Sequence, residues 1–227
     1  FRRIIEMPLG GVIFDWDGVV INSASLHEKS WEILATELKL PLPENHFELG
    51  FGKRNEIIIP NILRWTKNNT LIKQWGNRKE EIYRKLGESE GIPILKGVRQ
   101  FLYALREESI PCTIGTSTEK RNLLLAFKQL NIGQFFSGSI SSEDVSRGKP
   151  DPEVFIKAAV LINQDPANCV VLEDSTHGIE AACACGMKAI GLSTTREEKV
   201  LLASGADKVV SDPTNLNISL LKSLFTN

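Results

Sequence analysis

The chain carries almost no net charge: 27 lysines and arginines against 28 aspartates and glutamates leave −1 at neutral pH. That removes the electrostatic footprint that nucleic acid or an anionic membrane surface requires. No apolar run reaches membrane-spanning length, because charges or turn residues interrupt each one. Cysteine is scarce, with four in 227 residues, at positions 112, 169, 183 and 185. They form no regular framework, so a disulfide scaffold is excluded and buried, reduced thiols are expected. Cys183 and Cys185 make a C-x-C, but on a helix their side chains point about 200° apart, too far for a metal clip. Internal repeats and low-complexity tracts are also missing.

What is present is a core-building composition. Apolar residues make up 42% of the chain, enough for one large domain or a core with a smaller companion. The opening F-R-R-I-I-E-M-P reads as a trimmed or processed start, with Met7 a candidate initiator. The cytoplasm is the default location, and an organelle stays open.

From about residue 97 helix and strand patterns alternate. Val98, Phe101, Leu102 and Leu105 share one face of a helix. P-C-T-I-G-T-S is a short strand, and a helix with a Leu123–Leu125 core run follows it. F-F-S-G-S-I-S-S is expected as a strand. Asp151 and Pro152 open the next helix as N-cap and first residue. N-C-V-V-L-E-D is an apolar strand ending in two acids, and the helix after it stops at Gly186. Such alternation predicts a parallel sheet covered on both faces, with ligands at the carboxyl ends of the strands. Residues from about 23 to 91 interrupt it with helical patterns only, including one over E-I-I-I-P-N-I-L-R-W. An all-α insertion is expected there, with hinges near 19–22 and 91–97.

Three strands then deliver polar groups to one rim. Asp15 and Asp17 follow the first, Thr116 and Ser117 the second, Glu173 and Asp174 the third. Four acids on one rim repel each other unless a cation sits among them, and Mg²⁺ favours such oxygen ligands. Lys149 precedes a helix and suits an anion or these carboxylates. Thr116 and Ser117 precede a helix N-terminus, which favours phosphate. Taken singly, each feature also suits a turn, a cap or a solvated surface. Together they describe phosphoryl transfer, for which a carboxylate nucleophile is a known route.

Four motifs carry a resemblance: F-D-W-D-G-V, T-I-G-T-S-T, G-K-P-D-P-E-V-F and V-V-L-E-D-S-T-H-G-I-E-A-A, in this order. The chain resembles the haloacid dehalogenase superfamily, in its β-phosphoglucomutase and small-metabolite phosphatase branch. The resemblance implies a Rossmann-like α/β core, residues 1–21 and 93–227, with an α-helical cap over 22–92. It implies that Asp15 is the nucleophile and Asp17 the general acid and base. Thr116 and Lys149 hold the phosphoryl group, helped by Ser117. Asp15, the Asp17 carbonyl and Asp174 ligate Mg²⁺, with Glu173 a further ligand or water-mediated partner. In relatives a second acid is missing (dehalogenases) or replaced by threonine (transport ATPases), so Asp17 argues for rapid turnover. Trp16 stands where smaller apolar residues are usual and is expected to pack.

The cap should close over the site and set specificity. His27 and either Lys53 or Arg54 match cap positions that face substrate. The implied activity is hydrolysis of a small phosphomonoester: a sugar phosphate, a nucleotide, or a riboflavin-pathway intermediate such as 5-amino-6-(5-phospho-ribitylamino)uracil. A phosphomutase is the alternative, and a catalytically silent phosphometabolite sensor is the third reading. A small phosphorylated metabolite is the only partner implied, and a monomer is the expected state.

Overall fold

A computed structural model describes residues 9–226; Met7 lies outside them. Six strands form one sheet: β1 (Gly11–Phe14), β2 (Cys112–Gly115), β3 (Ser139–Ile140), β4 (Cys169–Glu173), β5 (Lys188–Leu192) and β6 (Lys208–Val210). Their spatial order is β3-β2-β1-β4-β5-β6, and every pairing is parallel. This is the parallel α/β sheet that the alternation predicts, and the Rossmann-like core that the resemblance implies. The four central strands are buried almost end to end, which is why they read as apolar runs rather than as alternating ones.

The order reverses at β1. The chain leaves it for β2 and β3 on one side, then returns to place β4 on the other. Phe14 is in register with both Ile114 and Leu172, so all three strands end level with one another. The residues that follow them must meet in the crevice at this reversal.

Residues 24–90 hold α1 (Ala24–Leu38), α2 (His46–Gly50), α3 (Asn55–Ile57) and α4 (Asn69–Glu90), with no named strand among them. Trp31, Leu34, Ile59 and Ile72 belong to a hydrophobic cluster of their own here. Two short links join these helices to the sheet and run side by side. Asn22 N–H donates to Pro93 O at 2.8 Å, and Leu95 N–H donates to Val20 O at 3.0 Å.

Around the sheet lie α5 (Val98–Glu107), α6 (Lys120–Leu130), α7 (Glu153–Leu161), α8 (Thr176–Ala184), α9 (Glu198–Ala203) and α10 (Ile218–Ser223). Val98, Phe101, Leu102 and Leu105 are all buried, as their spacing predicts. Gly186 follows α8 at φ +74°, the left-handed stop expected there.

Four expectations need correction. Leu123 is core, but Leu124 is 56% exposed, because ~100° per residue carries it off the buried face. Cys183 is exposed and Cys185 half-buried, at the end of α8; only Cys112 and Cys169 are buried. F-F-S-G-S-I-S-S yields a strand of two residues, because Phe135 closes a 3-10 turn and Phe136 packs on Phe14 and Trp16. The helix through I-I-I-P-N-I widens to a π-turn, Ile58–Ile62, where Pro60 supplies no N–H to the ladder.

Candidate active site

Asp15 extends β1 by one rung, its N–H donating to Leu172 O at 2.9 Å. The backbone then turns sharply. Gly18 sits at φ +78°, and a Cβ there would overlap the Asp174 carboxylate, so only glycine fits. Trp16, between the two aspartates, is fully buried and points away from them, edge-on to Phe127 at 5.2 Å. It packs, as expected.

Lys149 lies between two of the acids. Its ammonium is 2.8 Å from Asp15 Oδ1 and 2.8 Å from Glu173 Oε2, with 4% of the side chain exposed. Both oxygens of Glu173 accept hydrogen bonds. Its other oxygen, Oε1, accepts from the N–H groups of Asp174 and Ser175 and from Ser175 Oγ. Gly178 makes room for it, since a Cβ there would overlap the carboxylate. Asp174 accepts from the hydroxyl of Thr195.

Asp15, Glu173 and Asp174 can each offer an oxygen within 4.8 Å of the others, all buried. Burial and the Glu173 charge push the Asp15 carboxyl up to about 7, despite Lys149. The same two causes raise Asp174 well above the ordinary carboxylate range. Three acids against one lysine is the donor chemistry of a hard divalent cation. Among the described residues Asp15 Oδ2 and Asp174 Oδ1 accept no hydrogen bond, whereas both Glu173 oxygens are taken. The donor set therefore fits a metal held chiefly by Asp15 and Asp174, with Glu173 orienting Lys149.

Asp17 faces the other way. It accepts from the hydroxyls of Ser23 and Thr118, and from His27 Nε2 at 3.3 Å. Burial alone would raise its carboxyl; His27 and these donors outweigh that and hold it at about 2. Behind His27, Lys79 Nζ stands 2.6 Å from Nδ1. Lys79 also meets Glu80 at 3.0 Å, and Glu80 accepts from Asn55 and from Asn122 on α6. Burial opposes ionisation of Glu80, but Lys79, His27 and the two amides keep its carboxyl at about 2. A buried polar chain thus runs from the sheet through the helical segment and back.

A cavity of about 640 Å³ opens beside this chain and takes in Asp17, His27, Lys53, Arg54, Ser117 and Thr118. Thr116 is buried behind it, its Oγ1 within 3.2 Å of Thr118 Oγ1. Lys53 and Arg54 both line the cavity, but the Arg54 guanidinium is turned onto the backbone. It donates to Ser142 O and, at 3.2 Å, to Val145 O. Ser23, Lys79, Glu80, Thr118 and Asn122 are additions that sequence reasoning missed. Lys79 and Glu80 stand in N-R-K-E-E, a run that reads as a solvated helix face. Only the overlying elements turn them inward.

Residues 12–192 match the family model described as haloacid dehalogenase-like hydrolase. The chain belongs to that family. It is 35% identical over 94% of its length to the chloroplastic 5-amino-6-(5-phospho-D-ribitylamino)uracil phosphatase of Arabidopsis thaliana, and spans 57% of that relative. It is 31% identical to the β-phosphoglucomutase of Bacillus subtilis, covering 92% of each chain. A family IA haloacid dehalogenase-type hydrolase from Entamoeba histolytica superposes with a TM-score of 0.87 at 26% identity, over 96% of this chain and 99% of that one. No helix among the described residues of this family member is long and apolar enough to cross a membrane.

Proposed function

We propose that the chain is a phosphatase that hydrolyses a small phosphomonoester through a covalent intermediate on Asp15. The observation that supports this most is the meeting of Asp15, Lys149 and Asp174 at the reversal of the sheet, with Asp17 at the inner end of the cavity. Mg²⁺, held by Asp15 and Asp174, would supply the positive charge that lets a dianionic phosphate approach these acids.

The protein's own groups do the rest. A carboxylate oxygen of Asp15 attacks phosphorus, and the bond to the leaving oxygen breaks. Lys149 and the donors around Thr116 and Ser117 hold the phosphoryl oxygens. Asp17 gives a proton to the leaving oxygen, then takes one from the water that attacks the phosphoryl group. Inorganic phosphate leaves and Asp15 is restored. With its carboxyl at about 2, Asp17 is a base in the free protein. An incoming phosphate adds negative charge beside it and raises its proton affinity, which suits the first step. The helices over residues 22–92 act as a cap, hinged on the paired links, and set which leaving group fits.

The relatives point to a small phosphorylated metabolite, and the Arabidopsis enzyme makes its own named substrate a candidate. A phosphomutase is the second reading, favoured by the likeness to the Bacillus enzyme. The deciding experiment is phosphate release across sugar phosphates, nucleotides and flavin precursors, with Mg²⁺ or chelator, for the native protein and Asp15→Asn. Release that needs Mg²⁺ and vanishes in the variant supports the phosphatase. Interconversion of glucose phosphates without release supports the mutase.

A further inference from the structure

Four cations line the cavity, and two are committed elsewhere. Lys79 is taken by His27 and Glu80, and Arg54 by two backbone carbonyls. Lys73 is exposed and also borders a shallow depression with Asn69 and Thr70, which places it at the outer mouth. Lys53 is then the one inward cation with neither an ion pair nor a side-chain hydrogen bond among the described residues. Against it stand Glu56, Glu119 and Glu143.

Glu119 is the acid that matters. It immediately precedes α6, two residues beyond Ser117, with 28% of its side chain exposed. Its nearest cation, Arg84, is 3.5 Å away and is shared with Asn122 at the shorter distance of 3.0 Å. Its carboxylate is therefore under-neutralised and faces the space the leaving group must fill. Neutral amides, Asn69 and Asn77, line the same cavity and suit hydroxyls.

We infer that Glu119 sets specificity by excluding a second phosphate, so that the substrate is a monophosphate on an uncharged, hydroxyl-bearing leaving group. This rests on the reading of Asp15 as a phosphatase nucleophile. A hydroxyl donates to the carboxylate, whereas a second phosphate meets like charge in a partly desolvated space. Burial and Glu80 push Glu119 up to about 7, despite Arg84, so discrimination sharpens as pH rises through neutrality. The groups facing it are Glu80, Arg84 and Lys79 from α4, Glu143 from the loop after β3, and Asn122 from its own helix.

The test uses p-nitrophenyl phosphate turnover by the Mg²⁺-loaded protein, with fructose 1-phosphate and fructose 1,6-bisphosphate as competitors. The monophosphate is expected to inhibit roughly tenfold more tightly at pH 8, and less so at pH 6. Glu119→Gln should narrow that ratio, and Glu119→Lys should reverse it. Thermal midpoints of both variants show that the fold is kept. Equal or tighter inhibition by the bisphosphate, a ratio that neither variant moves, or no competition by either ester overturns the inference. If turnover itself is absent, or survives in Asp15→Asn, the phosphatase reading falls first and this inference with it.

Discussion

The ammonium of Lys149 stands 2.8 Å from the carboxylate of Asp15, a residue 134 positions away in the chain. Both are buried, and Glu173 holds the same ammonium from the other side. The lysine is the one positive charge inside a cluster of three acids. Lys149→Met should therefore do more than remove a phosphate ligand. It leaves the acids without a counter-charge, which costs about 3–5 kcal/mol when one partner of a buried pair is lost. The loss should be largest above pH 7 and smaller near pH 5, where Asp15 and Asp174 take up protons instead. Urea unfolding at the two pH values measures it. An equal loss at both would show that packing on the Phe155 ring, 4.7 Å away, dominates.

Metal addition should be linked to the same protons. Asp15 is raised to about 7 by burial and Glu173, and Asp174 is raised for the same reasons. A raised carboxyl keeps its proton in the folded state, so the metal-free protein loses stability as pH climbs from about 4 through 7. A cation replaces those protons. Mg²⁺ at 100 times its Kd should stabilise by about 2.7 kcal/mol, roughly 5–10 °C in Tm for a chain of this size. The shift should be larger at pH 8 than at pH 5 in a thermal scan, and should vanish in Asp174→Asn.

His27→Gln should change the titration of Asp17. With the histidine and the hydroxyl donors in place, Asp17 titrates at about 2. A lowered carboxyl adds stability above its ordinary pKa, and that stability fades as pH falls toward 2. The variant should be about 1–2 kcal/mol less stable at pH 7, and the gap should close only as pH falls to about 2. The acid limb of the pH profile for kcat/KM should move upward by about one unit. A profile that stays in place would mean that Ser23 and Thr118 alone hold the carboxylate.

The rim was legible because it is local. Each of its residues follows an apolar strand within two or three positions, so Asp15, Thr116 and Glu173 announce themselves by where a run stops. The parallel sheet is legible for the same reason. The chain from Asp17 through His27, Lys79 and Glu80 to Asn122 is not, because its members come from the turn after β1 and from three helices, and no short spacing links them. Lys79 and Glu80 show why. In N-R-K-E-E only two of the charged residues turn inward, and which two depends on how α4 packs on α1 and α6. Cys183 fails in the opposite direction: an apolar neighbourhood in sequence became the exposed end of α8.

Arg54 separates grip from closure. The sequence places it against substrate, while its guanidinium here spans from the helical segment to Ser142 and Val145 in the core. Its Nε is buried and finds no partner among the described residues. Such an arginine can hold the cap down whichever substrate is inside. Arg54→Met keeps much of the packing and removes the donors. It should lower kcat/KM by about tenfold, the worth of ~1.4 kcal/mol, and by the same factor for p-nitrophenyl phosphate as for a sugar phosphate. An arginine that touches the leaving group instead would spare the aryl ester and penalise the sugar. The ratio of the two losses, measured side by side, distinguishes a latch from a ligand.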